Sequence, residues 1–267
     1  MKFLSPAKLN LNLKVISKRN DGYHNLETTF QLINLFDEIS FEESDKSFGI
    51  SCDGLDIEPE NNLIFKSLNA ITKYCNVGKG IQIHLKKIIP AGAGLGGGSS
   101  NAATTLIALN KIWDLNLSTE ELVDIGKGLG ADVPIFIYGK NAVATGIGDV
   151  LSDIEFKKNK YLLIYPDIEV STSEMFGKLK IHELDPKQQN SFLDTLLKEY
   201  KSIEEFYKSF VSDYDLKLSG TGSTFFIEYD NKDELGKILQ KIPENWRFFF
   251  CEGLQYSPLK GVLSDGV

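Results

Sequence analysis

The sequence predicts an α+β protein of two domains, a larger one over residues 1–155 and a smaller one over 156–267. Three observations carry that expectation. The opening segment alternates apolar and polar residues, as a half-buried strand does. Glycines at 92, 94, 96, 97 and 98 join a strand-like segment to a helix-like one. A composition shift over 152–160 (SDIEFKKNK) precedes a β-α-β-β-α-β order, which reads as a split-βαβ, ferredoxin-like unit.

In the first domain, Leu9, Leu11, Leu13 and Val15 fall on one face of the opening strand, and Lys8, Asn10, Asn12 and Lys14 on the other. Arg19-Asn20-Asp21-Gly22 supplies a turn. LETTFQLINL and EISFEE read as two further strands, and NNLIFKSLNAITKYC as a helix. In IQIHLKKII, Ile81, Ile83 and Leu85 alternate with Gln82, His84 and Lys86, giving another strand. Beyond the glycines, Ala102, Leu106, Leu109 and Trp113 recur at helical spacing. LSTEELVDIG opens a helix with a capping box, Ser118 at the N-cap and Glu121 three residues on. GLGADVP then leads into the apolar IFIYG. In the second domain YLLIYPD is a strand, about 188–210 is helical, and DLKLSGTGSTFFIEYD is strand, glycine turn, strand. NKDELGKILQKI and WRFFFCEGL close it as helix and strand.

Composition narrows the function. With 267 residues, 42% hydrophobic and 25% charged, the chain has globular values and enough length for two ordinary domains. It has no apolar run of about 18 residues and no apolar stretch after Met1, so neither a membrane span nor a secretory signal is expected. Cys52, Cys75 and Cys251 are odd in number and far apart, which fits a reducing cytoplasm. A net charge of −8 argues against nucleic-acid binding, which needs a basic face. His24, His84 and His182 lack a second His or Cys at ligand spacing, so no structural zinc site is expected.

The stretch PAGAGLGGGSS, from Pro90 to Ser100, admits four readings. A flexible linker would not sit between two patterned elements. A Walker loop needs a lysine before the Ser or Thr, and Gly98 is followed directly by Ser99 and Ser100. Gly92-x-Gly94-x-x-Gly97 matches the dinucleotide pattern literally, but the preceding strand alternates. The only acid about 20 positions on, Asp114, ends a helix rather than a second strand. What remains is a phosphate loop of another design. Its glycines let the backbone approach an anion, Ser99 and Ser100 can cap the helix or offer hydroxyls, and the helix N-terminus attracts negative charge. Ala102 and Ala103 keep the first turn slim.

Those residues, Pro90 to Ala103, resemble the ATP loop of the GHMP kinases, and SPAKLNLNLKV and LSGTGSTFF are similar to the family's other two motifs, in the same order. The resemblance runs from Ser5 to about Leu259. Within the family, RNDGYHNLETTFQ and LGADVPIFIYG point to a member whose small-molecule substrate carries a cytidine diphosphate arm. The resemblance implies a ribosomal-protein-like α/β N-terminal domain holding the glycine-rich ATP loop and a ferredoxin-like C-terminal domain. It implies ATP as co-substrate, with Mg²⁺, and γ-phosphate transfer to a tertiary hydroxyl of a branched tetritol. ATP would lie over Pro90, Ala91, Gly92, Ala93, Gly94, Leu95, Gly96, Gly97, Gly98, Ser99 and Ser100.

By the same resemblance Lys8 is the catalytic lysine and Asp132 the base toward the hydroxyl, against the blander readings of a solvated lysine and a helix N-cap. Asn10 shares the Lys8 face and would bind the tetritol hydroxyls. Tyr23 would stack on cytosine with His24 on the base edge, Phe176 is a candidate for the second ring, and Thr172 for a further substrate contact. Gly220-Thr221-Gly222-Ser223 would face the first glycine loop. Two rivals remain: another GHMP kinase, of the mevalonate or homoserine type, and a non-catalytic nucleotide sensor on the same fold. The chain is expected to be a monomer or a weak homodimer, without nucleic-acid or membrane partners.

Overall fold

The computed structural model describes residues 1–45, 47–53, 62–155 and 157–264. Residue 156, where the second domain was expected to start, lies outside them. Two sheets organise the chain. The first has six strands: β1 (Lys2–Lys18), β2 (His24–Ser44), β3 (Phe48–Asp53), β4 (Gly80–Lys86), β5 (Ala142–Thr145) and β6 (Val150–Asp153). Its order is β3-β4-β2-β5-β6, with β1 along the other edge of β2, and every pairing is antiparallel except β3 with β4. The second has four strands, β7 (Lys160–Tyr165), β8 (Lys217–Leu218), β9 (Phe225–Tyr229) and β10 (Arg247–Glu252), in the antiparallel order β10-β7-β9-β8. That is the strand order of a split βαβ unit.

One expectation is corrected. LETTFQLINL and EISFEE are a single strand, β2, of 21 residues. Asp37, which stands between the two segments, is wholly buried within the strand. Its carboxylate accepts from Ile88 N (2.7 Å), Ile89 N (2.8 Å) and Lys87 Nζ (2.6 Å), tying β2 to the chain just before the glycine loop. Burial pushes the Lys87 ammonium below its usual pKa, and Asp37 opposes the shift. Asp37→Asn keeps one acceptor oxygen and removes the charge, so it should cost about 1.5–3 kcal/mol by urea unfolding. A loss under about 0.5 kcal/mol, the level of an inert surface change, would show the pair to be unimportant.

Helices α1 (Leu63–Cys75), α2 (Gly97–Ile112), α3 (Thr119–Lys127) and α4 (Val133–Tyr138) pack on the first sheet. Asn62 caps α1 through Ile64 N, and the Ser118–Glu121 capping box starts α3 as expected. In the second unit α5 (Thr172–Lys178), α6 (Leu193–Glu199), α7 (Lys201–Phe210) and the short α8 (Gly236–Leu239) accompany the four-stranded sheet. A last helix, α9 (Lys260–Ser264), returns to the first unit, where Leu259 joins the core.

Strands β7 and β9 of the second sheet are buried on both faces, which is why YLLIY and FFI read as apolar runs rather than alternating strands. Leu162, Ile164, Phe225 and Ile227 face the α6–α7 side. Tyr161, Leu163, Tyr165 and Phe226 instead meet Ala7, Leu9, Ile33 and Leu35 of the first sheet, together with Ala93 and Leu95 of the glycine loop. The two units are therefore joined through an apolar layer, and the cleft opens at its edge.

Strand β1 serves all of this. Its register shifts at Pro6/Ala7, Asn10/Asn12 and Val15/Ser17 bend it, so Ala7 and Leu9 enter the middle layer while Leu13 and Val15 enter the second core.

Candidate active site

A cavity of about 1010 Å³ lies where β1, the glycine loop, the start of α4 and α5 converge. Lys8, Asn10, Tyr23, His24, Asp132, Thr172 and Phe176 all line it, as do Pro90 to Gly94 and Gly96 to Ser99. Two members of the expected ATP loop do not. Leu95 and Ser100 are buried beneath it: Leu95 packs in the middle apolar layer, and the Ser100 hydroxyl lies 2.8 Å from Ser5 Oγ. Nor do the serines cap α2, whose N-cap is Gly96 in the left-handed region (φ 71°) without a side-chain bond.

The chemistry centres on Lys8. It is not on a solvated face, being only 3% exposed, and the neutralising groups around it explain how a buried ammonium is tolerated. Its Nζ lies 2.5 Å from Asn10 Oδ1, 3.1 Å from Gly94 O and 3.3 Å from Asp132 Oδ2. Three protons thus meet three acceptors. Beneath the ammonium the Phe30 ring centroid is 5.6 Å away. Asn10 is held in turn, its Nδ2 donating to Thr28 Oγ1 at 2.7 Å, and Thr28 Oγ1 donates to Asn12 O at 2.6 Å. Asp132 stands at the N-cap position of α4 but makes no capping hydrogen bond. Its side chain is 34% exposed, so a carboxylate oxygen is accessible from the cleft.

The glycine loop is arranged to receive an anion. Gly92 O accepts from Val170 N (2.8 Å), Ala93 O from Thr224 N (3.2 Å), and Leu95 O from Lys8 N (3.0 Å). Gly94 O takes both Ser219 Oγ (3.0 Å) and Lys8 Nζ, and Gly96 O takes Ser100 N (2.9 Å). Among the described residues no backbone N–H from Gly92 to Ser99 finds an acceptor in the protein. Those N–H groups and the N-terminus of α2 are what a phosphate needs.

At the other end, Tyr23 is 59% exposed on the rim. His24 and Phe176 pack against each other with a tilt of 31°, centroids 5.1 Å apart, and Phe176 also meets Phe192 edge-on. Phe176 is thus both core and wall. Thr172 Oγ1 lies 3.3 Å from Thr221 Oγ1, linking α5 to the second glycine turn. Burial first, and then the charge of Lys18, push the His24 imidazole below its usual 6.5.

The folded chain therefore resists protonating His24. Stability should fall as pH drops from 6.5 toward the depressed pKa, and level off below it. A proton NMR titration of the imidazole should give a midpoint below 6.5; one at or above 6.5 would contradict it.

Sequence reasoning missed Thr28 and Ser219. Ser219 stands immediately before Gly220, within a motif already singled out, and Thr28 lies within another. Residue type alone did not separate them from ordinary strand polar residues.

Comparison with known proteins bears on this site. The model of the GHMP kinases N terminal domain matches residues 62–140, and that of the GHMP kinases C terminal domain matches 180–247. A 4-diphosphocytidyl-2-C-methyl-D-erythritol kinase of Haemophilus influenzae (strain 86-028NP) is 36% identical, covering 99% of this chain and 88% of that protein. The protein of the same name from Acinetobacter baylyi is 37% identical over 98% of each. Among solved structures, a 4-(cytidine 5'-diphospho)-2C-methyl-D-erythritol kinase matches with a TM-score of 0.81 and 26% identity, covering 95% of this chain and 99% of that one. A mevalonate kinase matches at 0.71 with 16% identity over 95% and 99%, a likeness of fold alone.

Proposed function

The chain belongs to the GHMP kinase family, and on that premise we propose that it transfers the γ-phosphate of ATP to the 2-hydroxyl of 4-diphosphocytidyl-2-C-methyl-D-erythritol, a step of the non-mevalonate route to isoprenoids. The observation that carries the reading is the Lys8–Asp132 pair, at 3.3 Å, beside a glycine loop that lines the same cavity and whose N–H groups, among the described residues, find no acceptor in the protein. Single small-molecule sites run to roughly 1,000 Å³. The cavity reaches the top of that range and has a phosphate cradle at one end and aromatic rings at the other, an arrangement for two nucleotide-bearing substrates held end to end.

In this reading Asp132 takes the proton of the substrate hydroxyl. The oxygen's electron pair attacks the γ-phosphorus, and the bond to the bridging oxygen breaks with its pair going to ADP. Lys8 stands beside the charge that develops on the transferring group, and the loop N–H groups hold the remaining phosphates. Asn10 orients the tetritol hydroxyls. Tyr23 and the adjoining His24 and Phe176 rings form an aromatic platform for cytosine, Thr172 contacts the substrate, and Lys18 and Lys180, both lining the cavity, supply charge for its diphosphate.

Mg²⁺ would accompany the ATP, held mainly by its phosphates. Among the described residues no three His, Cys, Asp or Glu side chains are grouped to hold a metal. The cleft does offer the hard oxygen donors Mg²⁺ takes, the Ser99 hydroxyl and the exposed edge of Asp132, and this ion leans mainly on phosphates and water. It would neutralise phosphate charge there.

We place the domain boundary between 155 and 156, supported by the end of the first sheet at Asp153 and the start of the second at Lys160, although β1 and α9 cross that division. We place the chain in the cytoplasm as a monomer or weak dimer. Cys52, Cys75 and Cys251 are unbridged, and among the described residues no helix is long and apolar enough to cross a membrane.

Phosphorus NMR of the chain with Mg-ATP and 4-diphosphocytidyl-2-C-methyl-D-erythritol tests the activity. ADP and a new phosphomonoester resonance are expected. ATP binding without turnover would sink the substrate assignment, and turnover of mevalonate or homoserine instead would move it within the family.

A further inference from the structure

Four successive loop carbonyls, Gly92 to Leu95, are each held by a donor outside the loop. A planar trans peptide sends its N–H opposite to its carbonyl. Fixing these oxygens therefore fixes the N–H groups of Ala93, Gly94, Leu95 and Gly96. Most of the donors are backbone amides, of Val170, Thr224 and Lys8, which side-chain replacement leaves in place. Only two are side chains: the Lys8 ammonium, already at the reaction centre, and the hydroxyl of Ser219.

We propose that Ser219 is a positioning residue for phosphoryl transfer, setting the Gly94–Leu95 peptide of the phosphate loop and the strand that carries Lys8 and Asn10 in one arrangement. Its hydroxyl is wholly buried, donates to Gly94 O at 3.0 Å and accepts from Asn10 N at 3.2 Å. It thereby bridges the second sheet's turn, the loop and β1 through one oxygen. It also shares Gly94 O with Lys8 Nζ. Without the hydroxyl, Gly94 O is left to the ammonium alone, which draws Lys8 toward the loop and away from Asp132, while Asn10 N loses its acceptor. The inference rests on the kinase reading and names a residue acting through the loop, not on the substrate.

A matched control exists on the same strand. Val15 N donates to Ser191 Oγ at 3.0 Å, the same backbone-to-serine bond, away from the loop. Both Ser219→Ala and Ser191→Ala orphan one β1 amide, so both should lower Tm modestly. Ser219→Ala should also lower kcat about 10- to 100-fold and weaken Mg-ATP binding, measured by calorimetry without the second substrate. Ser191→Ala should leave kcat and ATP affinity within about twofold. If Ser219→Ala does not fold, Ser219→Cys keeps the shape with a weak donor and should give the same pattern in smaller measure. ATP affinity and kcat unchanged in the Ser219 variant, or reduced equally in both serine variants, would overturn the proposal. The calorimetric arm separates this from the substrate assignment: wild-type chain that binds ATP but leaves the cytidine compound untouched fails the assignment alone.

Discussion

Asp132→Asn should lower kcat by about 10²- to 10⁴-fold while leaving the fold intact. Asparagine keeps the shape of the side chain and one acceptor for Lys8, but it cannot take a proton from the substrate hydroxyl. The fold should tolerate the change because Asp132 makes no capping hydrogen bond to α4 and is partly exposed. The Lys8 ammonium keeps Asn10 Oδ1 and Gly94 O as acceptors, so the cost in stability should stay within about 1–2 kcal/mol. ADP release under saturating substrates reads the rate, and thermal unfolding reads the fold. A variant retaining more than about a tenth of wild-type kcat would remove Asp132 from the base role and leave the pair as an electrostatic support for the loop.

Much of this site was legible because its residues lie in short, dense motifs. The missing lysine between Gly98 and Ser99 excluded a Walker loop, and the pattern around the glycines singled out a phosphate cradle before any coordinates. Lys8 and Asn10 could be placed on one face of a strand by alternation alone, and they do meet, at 2.5 Å. What alternation could not reveal was their burial. Both are only 3% exposed, because Gly94 of the glycine loop, Asp132 and Phe30 enclose Lys8, and Thr28 and Ser219 hold Asn10, all from segments distant in sequence. At β2, Asp37 is buried inside a continuous strand because Lys87, Ile88 N and Ile89 N satisfy its carboxylate, and partners so far along the chain are invisible to local pattern. Ser100 was legible as a loop serine but not as a residue beneath the loop, since the helix turn that points it at Ser5 depends on where Gly96 starts the helix. Local pattern thus located the chemistry. The partners that confine it, Thr28, Val170 and Ser219, come from distant segments and were not legible.

Gly94→Ala tests that confinement, and should disrupt both folding and nucleotide binding. Gly94 has φ of +76°, a conformation that costs a side chain about 1–2 kcal/mol. A Cβ there would lie 2.2 Å from Ser219 O and 2.9 Å from Gly222 O. Both obstacles are backbone of the second glycine turn, so no side-chain rotation relieves them, and the two loops must part. Overpacking of this kind adds about 1–3 kcal/mol, for a total of about 2–5 kcal/mol. Parting the loops also releases Gly94 O from Ser219, and with it the direction of the Gly94–Leu95 peptide. Urea unfolding should register the loss of stability, and ATP affinity should fall by about 10²-fold, the scale expected when a ligand cradle is misplaced by an ångström. Gly98→Ala is the control for folding: a Cβ there meets only Leu63 Cδ1, at 3.4 Å, and needs no unusual φ. Its stability should equal or exceed that of the wild type, since alanine is the better helix former. Equal stability in the two variants would mean that the glycine loop and the second turn are not held in contact, and that the free N–H groups are set by the loop itself.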